Sequence, residues 1–338
     1  MTEITTLSQF LTGANTQFQV YDMGRRVQHI DMMAFNEIEN LNSPYPFPLQ
    51  GHAQFAIVFW DASQQHYIWF LKLPLDERGL LSPAPRTQFI KMIVEALGRD
   101  PAQTLSEEQQ QKLANHPFAF KPSAEKLAIF NALVRKQLGD KASPQYEFAY
   151  QYISGQVKTE NWQEIGLQGI ADICVRSNGL DHLKHLQACF NYAATEVQIA
   201  ICQCLEHLTI EKDLAEIILA KLIAADNDNT KLYYLRALAS HSSLAQEAVL
   251  HLAESNQLNA DALITIAARN WTILKHDETR TIYLETLATQ EQHFFNQIFA
   301  DIVVIPVLRT QMLAELRNPN RSPQLSAAIG GLFKVTKA

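Results

Sequence analysis

Beyond about residue 86 the sequence loses every sign of a β-strand. From there to the C-terminus, apolar residues recur at the three-to-four spacing of amphipathic helices. In a chain of 338 residues this leaves only the first quarter to hold a sheet. The fold class it predicts is a small α+β domain (an antiparallel sheet with helices) followed by an all-α region. The helical signals are specific. Phe89, Ile90, Ile93, Val94 and Leu97 form one stripe closed by Gly98, Ser106–Gln109 reads as a capping box, and residues 123–138 form a further helix. Ser143-Pro144 supplies a cap and a first-turn proline. Later starts are readable at Thr195, Ser243, Asp277, Thr289 and Ser322-Pro323.

Several of these helices share a small-residue centre. Ala171, Cys202, Ala237, Ala267 and Ala300 align at steps of 31, 35, 30 and 33 residues, each long enough for two helices and their turns. A HEAT-like array of stacked helical hairpins is therefore expected, with small residues allowing close packing.

The first quarter mixes periods. Residues 3–12 read as a short helix and residues 31–41 as another. Phe18 and Val20, then Val27 and Ile30, read as strands on either side of Asp22-Met23-Gly24, where the glycine is expected to supply a positive φ. Asn42–Leu49 holds three prolines and reads as an extended connection. Gln54–Trp60 and His66–Leu73 form a hairpin apolar on both faces, which predicts a sheet covered on each side. The expected boundaries are residues 1–85 for the α+β domain, 86–142 for connecting helices and 143–338 for the helical array.

Charge narrows the partners. Residues 1–142 hold thirteen basic and fourteen acidic side chains; residues 143–338 hold fifteen and twenty-one. The helical half thus carries nearly all of the net charge of −7. An acidic surface suits a basic protein segment and repels nucleic-acid phosphates, so an RNA-associated role is disfavoured. The N-terminus, Met1-Thr-Glu-Ile, has neither a basic start nor an apolar stretch, and no apolar run approaches the roughly 20 residues of a membrane span. Four cysteines set in helical patterns fit a reduced interior. The expected location is the cytoplasm, with no membrane contact.

Two segments carry candidate chemistry. In Lys72-Leu-Pro-Leu-Asp76-Glu77-Arg78-Gly79, adjacent carboxylates and two cations leave a strand for a Pro- and Gly-bounded loop, where functional groups often gather. Arg25-Arg26 beside Gly24 offers paired guanidiniums near a turn, a type common at surfaces. Arg25, Arg26, Lys72, Asp76, Glu77 and Arg78 are the expected interface or inter-domain contacts. A metal reading of His182, His185 and Cys189 with Cys202, Cys204 and His207 gives way to core packing. Cys202 and Cys204 point roughly 200° apart on a helix and are flanked by residues that demand burial. No cofactor, metal or catalytic residue is assigned.

Leu75-Asp76-Glu77, together with Tyr21-Asp-Met-Gly-Arg-Arg26 and Phe70-Leu-Lys-Leu-Pro74, resembles domain-of-unknown-function family 3549, a bacterial family marked by an LDE motif. The resemblance implies coverage from end to end, a proteobacterial source and no assigned activity. It brings no catalytic residue or cofactor. The leading expectation is a non-enzymatic protein–protein interaction or adaptor protein. The alternative is an enzyme or small-ligand-binding protein with a site around Lys72, Asp76 and Glu77.

Overall fold

The computed structural model describes residues 4–61, 65–98, 116–177 and 179–335. The capping box read at Ser106–Gln109 lies outside the described residues. The chain divides into two compact units, one of residues up to Pro122 and one of the helices from Ser123 onward, less the link Val304–Pro306.

The first unit is built on a four-stranded antiparallel sheet of order β2-β1-β3-β4, with β1 at Gln17–Asp22, β2 at Gln28–Ile30, β3 at His52–Trp60 and β4 at His66–Pro74. Among the described residues three helices belong to it: α1 (Leu7–Gly13), α2 (Met32–Glu39) and α3 (Pro83–Leu97). The alternation of strand side chains decides the packing. Phe18, Val20, Phe55, Ile57, Phe59, Leu71 and Leu73 join one core with Leu7 and Phe10 of α1, Phe35 and Ile38 of α2, and Phe89, Ile90 and Ile93 of α3. On the opposite face Ala56 and Val58 are also buried, as the unbroken apolar run of β3 requires. The outer edge of β4 is not left open along its second half. The Lys72 amide donates to the Phe118 carbonyl (2.8 Å), and Leu71 bridges Ala119.

Two readings of this region need correction. Gly24 does not take a positive φ. Its lack of a side chain matters for space instead, since a Cβ there would sit 3.3 Å from the Asp22 carboxylate. The first helix begins at Leu7 behind a Thr6 cap, whose hydroxyl accepts from the Gln9 amide (3.1 Å).

The second unit is helical throughout its described residues: α4 (Ala124–Gln137), α5 (Tyr146–Ile153), α6 (Leu167–Val175), α7 (Leu180–Cys189), α8 (Thr195–Leu205), α9 (Lys212–Ala224), α10 (Asp228–Ala237), α11 (Ser242–Glu254), α12 (Ala260–Arg269), α13 (Asp277–Leu287), α14 (Gln292–Val303), α15 (Pro306–Glu315) and α16 (Pro323–Val335), with short 3₁₀ turns between some of them. Each even-numbered helix from α4 to α12 packs on the next even one, and α14 on α16; each odd-numbered helix from α5 to α11 packs on the next odd one. The small residues of the sequence register all fall on even helices. Ala171, Cys202, Ala237 and Ala267 are buried at these contacts, as close packing needs. Ala300 departs from the register: it is exposed, and its neighbour Phe299 faces inward instead.

Some helix starts follow side-chain capping, and two starts read from the sequence are displaced: the helix expected from Thr289 begins at Gln292, and Ser143 is the second case. Ser123, Asn227 and Asn259 each cap through their side chains, and Ser322 accepts from the Leu325 amide (3.0 Å). Ser143 does not cap: α5 starts three residues later, at Tyr146. The Ser143 amide is drawn instead to the buried Asp172 carboxylate (2.9 Å). No helix among the described residues is long and apolar enough to cross a membrane.

Candidate functional site

The motif segments of the first unit converge at one end of the sheet, where β1 ends, β3 begins and β4 ends. Asp22, the last residue of β1, is fully buried and organises the loop after it. Its Oδ1 accepts from the Gly24 amide (3.2 Å), and its Oδ2 accepts from the amides of Arg25 (3.2 Å) and Arg26 (3.3 Å). Three backbone donors on one carboxylate are what a sharp loop without its own ladder bonds requires. Tyr45, from the proline segment, donates its hydroxyl proton to the same Oδ1 at 2.6 Å. Burial, and then the Asp22 charge, push the Tyr45 phenol well above its ordinary pKa, so it stays a donor.

The arginines are structural in placement. Arg25 is wholly buried, Arg26 is 8% exposed, and Arg25 Nε donates to the Pro48 carbonyl (2.8 Å). The expectation of a surface pair at this turn is thereby corrected: the Asp22 loop folds inward and carries both side chains with it. Arg25 also fixes the proline segment, which has few amides of its own to offer.

The Leu75-Asp76-Glu77 loop is tied to that same segment. The Tyr45 amide donates to the Gly79 carbonyl (2.9 Å), and the Leu75 amide to the Gly51 carbonyl (2.9 Å). Asp76 works here as Asp22 does one loop away. Its Oδ1 accepts from the amides of Arg78 and Leu80, each at 2.9 Å. Gly79, at φ +83°, turns the chain in a region that other residues rarely enter. Asp76 Oδ2 accepts from Arg78 Nε (3.1 Å) and pairs with its Nη2 (3.0 Å). The Leu80 amide, ahead of the Arg78 contacts, holds the Asp76 carboxyl below its usual pKa. The Arg78 side chain is 75% exposed and Asp76 30%, and Glu77 is exposed beside them.

Lys72 stands apart. It lies on β4 opposite Gln54, half-buried, and its backbone bond to Phe118 belongs to the strand edge. No ion pair joins it to Asp76. The open clefts flanking α3, of about 760 and 1110 Å³, are lined by residues such as Thr87, Lys91 and Glu95, and by none of Lys72, Asp76 or Glu77. The end of the sheet therefore offers a solvent-facing loop of paired charges that lines neither of those two clefts.

These motif segments are the ones by which the sequence resembles a known family. A family model described as "Protein of unknown function (DUF3549)" matches residues 2–333. The chain belongs to this family. No curated protein and no solved structure matches it. The DUF3549 chain holds its four cysteines as free, buried thiols, and burial pushes the Cys189 thiol up to about 12. His182 is not aimed at them; its Nε2 meets the Tyr146 hydroxyl at 2.7 Å. Among the described residues no group of three metal-ligating side chains is placed to hold an ion.

Sequence reasoning missed one charged centre in the second unit of this DUF3549 protein. Glu206, just past α8, is 1% exposed and accepts from Arg236 of α10 through both guanidinium edge nitrogens, with Nη2 at 3.0 Å from Oε1. Arg269 of α12 donates its Nε to the same Oε1 at 2.9 Å, and His207 Nε2 lies 3.2 Å from it. Burial alone would raise the carboxyl; the charges of His207, Arg269 and Arg236 outweigh it and bring the pKa down to about 2. A signal was available. Arg236 and Arg269 follow Glu206 by 30 and 63 residues, one and two steps of the small-residue register.

Proposed function

We propose that this protein is a cytoplasmic, non-enzymatic interaction or adaptor protein. Its first unit presents the Leu75–Gly79 loop, and its second unit is a HEAT-like helical-repeat array that receives a basic protein segment. The observation that carries this reading is the state of the loop's charges. Asp76 is spent on backbone amides and on Arg78, while Glu77 and the Arg78 side chain face solvent from a fixed backbone. A catalytic carboxylate pair needs burial to separate the two pKa values, and this pair is not buried. An ordered, exposed charge pair suits recognition, where rigid groups lose little entropy on contact.

The array reading is supported by the stacking of alternate helices and by the buried small residues of α6, α8, α10 and α12. The excess of acidic over basic residues in the helical half supports a basic partner.

The test is capture of partners from native soluble lysate by wild type and by Glu77→Ala/Arg78→Ala, a variant that leaves the Asp76 amide bonds in place. A stoichiometric protein retained by the wild type and lost by the variant is the expected result. Equal recovery by both proteins would remove the loop from the interface, and recovery of nothing by either would sink the adaptor reading.

A further inference from the structure

The junction between α5 and α7 is made of four rings, two from each helix. Tyr146 and Tyr150, one turn apart on α5, stack at 5.9 Å, and His182 and His185 face them from α7. His182 Nε2 meets the Tyr146 hydroxyl at 2.7 Å, and its ring centre lies 5.2 Å from that of Tyr150. The His185 ring meets Tyr150 edge-on at 5.6 Å, and its Nδ1 is buried with no hydrogen-bond partner. Such a seam suits neutral imidazoles. A neutral ring keeps one nitrogen free to accept a proton from tyrosine, whereas a charged ring carries a proton on both. Charging His185 therefore forces an N–H onto a buried Nδ1 that has no acceptor. Charging both rings also sets two cations one turn apart on one helix.

The surrounding charges do not offset this cost. Arg176, just past α6, adds a cation, and Asp181 of α7 is the one carboxylate among the groups acting on His182. Glu147 of α5 accepts from Gln151 Nε2 (3.3 Å), and Lys184 of α7 is exposed. On α9, which also packs on α7, Lys212 pairs with Glu216 (3.2 Å), and neither they nor Asp213 and Lys221 act on His182. Burial, and then His185, hold the His182 imidazole below its ordinary pKa against the pull of Asp181.

We propose that this seam is a pH-sensitive joint, closed while His182 and His185 are neutral and loosened when they take up protons. The closed form binds fewer protons than the open one. Closure is therefore complete above about pH 6.5, the value of a free imidazole, and is lost as pH falls below it. The element released is α7. Its neighbour α5 stays fixed to α6, where the Gln145 carbonyl and Ala149 Cβ lie against Gly169 with no room for a side chain between them. Acidification thus interrupts the odd-numbered row of helices at its first junction. The joint needs neither the Leu75–Gly79 loop nor a basic partner, so it stands or falls apart from the adaptor reading.

Hydrogen–deuterium exchange of the full-length protein reads the joint helix by helix, once rates are expressed as protection factors so that the intrinsic pH dependence cancels. Between about pH 7.5 and about pH 5.5, protection in α7 should fall at least about threefold more than in α4 and α12, which carry no histidine. The variant His182→Gln/His185→Gln cannot take up these protons, so its α7 should keep one level of protection at both pH values. In ¹H–¹³C NMR of the wild type, the His182 midpoint should lie below that of His293, an exposed residue. No extra loss in α7, an even loss across all helices, or an equal loss in the double variant would each overturn the joint. If the double variant does not fold, the single variants take its place, each expected to remove part of the fall. A His182 midpoint at or above that of His293 overturns the proposal without any variant.

Discussion

Asp22 and Asp76 solve the same local problem. Each stands where a strand gives way to a loop, and each gathers amides that have lost their ladder partners. Their surroundings separate them. Asp22 is sealed in and depends on Tyr45, whereas Asp76 keeps part of its surface and takes Arg78. Tyr45→Phe should therefore strip a donor from a carboxylate that cannot reach water. A loss of about 1.5–3 kcal/mol is expected, read as a lower urea midpoint at unchanged m-value. A midpoint equal to wild type would mean that Asp22 is satisfied without the hydroxyl. The tyrosine could not be singled out from sequence, because it lies 23 positions from its partner inside a proline segment with no periodicity to read.

Elements were legible to the extent that local chemistry sets them. The apolar run of β3, the helix read over residues 123–138 and the glycine after α3 each rest on signals within a few residues, and each is where the sequence reading placed it. What was not legible came from elsewhere in the chain. Ser143 was pulled from its expected cap by Asp172, 29 residues on, and Ala300 faces outward because Phe299 takes the interior. The close approach of α5 and α6 is a further case. A Cβ on Gly169 would collide with the Gln145 carbonyl oxygen and lie 2.8 Å from Ala149 Cβ. Gly169→Ala should cost about 1–3 kcal/mol as overpacking, although alanine is the better helix former; a higher melting temperature would show that the helices can separate freely. At Glu206, three helices depend on one charge. Its carboxyl is lowered from 4.5 to about 2, so its contribution is complete above pH 4.5 and fades as pH falls toward 2. Glu206→Gln should remove that part of the acid slope and lower stability at neutral pH by about 3 kcal/mol. Melting temperatures measured between about pH 5 and pH 2 check both statements. Parallel curves for variant and wild type would disprove the linkage.

Across the whole molecule, charge is divided unevenly. The helical half holds most of the negative excess, while the two sheet loops are close to balanced. If the proposed partner is basic, its capture should weaken steadily as salt rises from about 0.05 to about 0.5 M, because exposed charges are screened over that range. Capture that ignores salt would point to an apolar contact and away from the acidic surface. Glu206 also bears on how this chain can change over evolutionary time. A run of helices that pack on alternate neighbours can lengthen or shorten by whole pairs, since each pair meets only those beside it. Here a carboxylate just past α8 is shared with arginines on α10 and α12. Deleting a pair from that stretch would strand a buried ion, and inserting one would move an arginine out of reach. Insertions and deletions should therefore be tolerated beyond this stretch and purged within it, so that a single side chain keeps count of the helices around it.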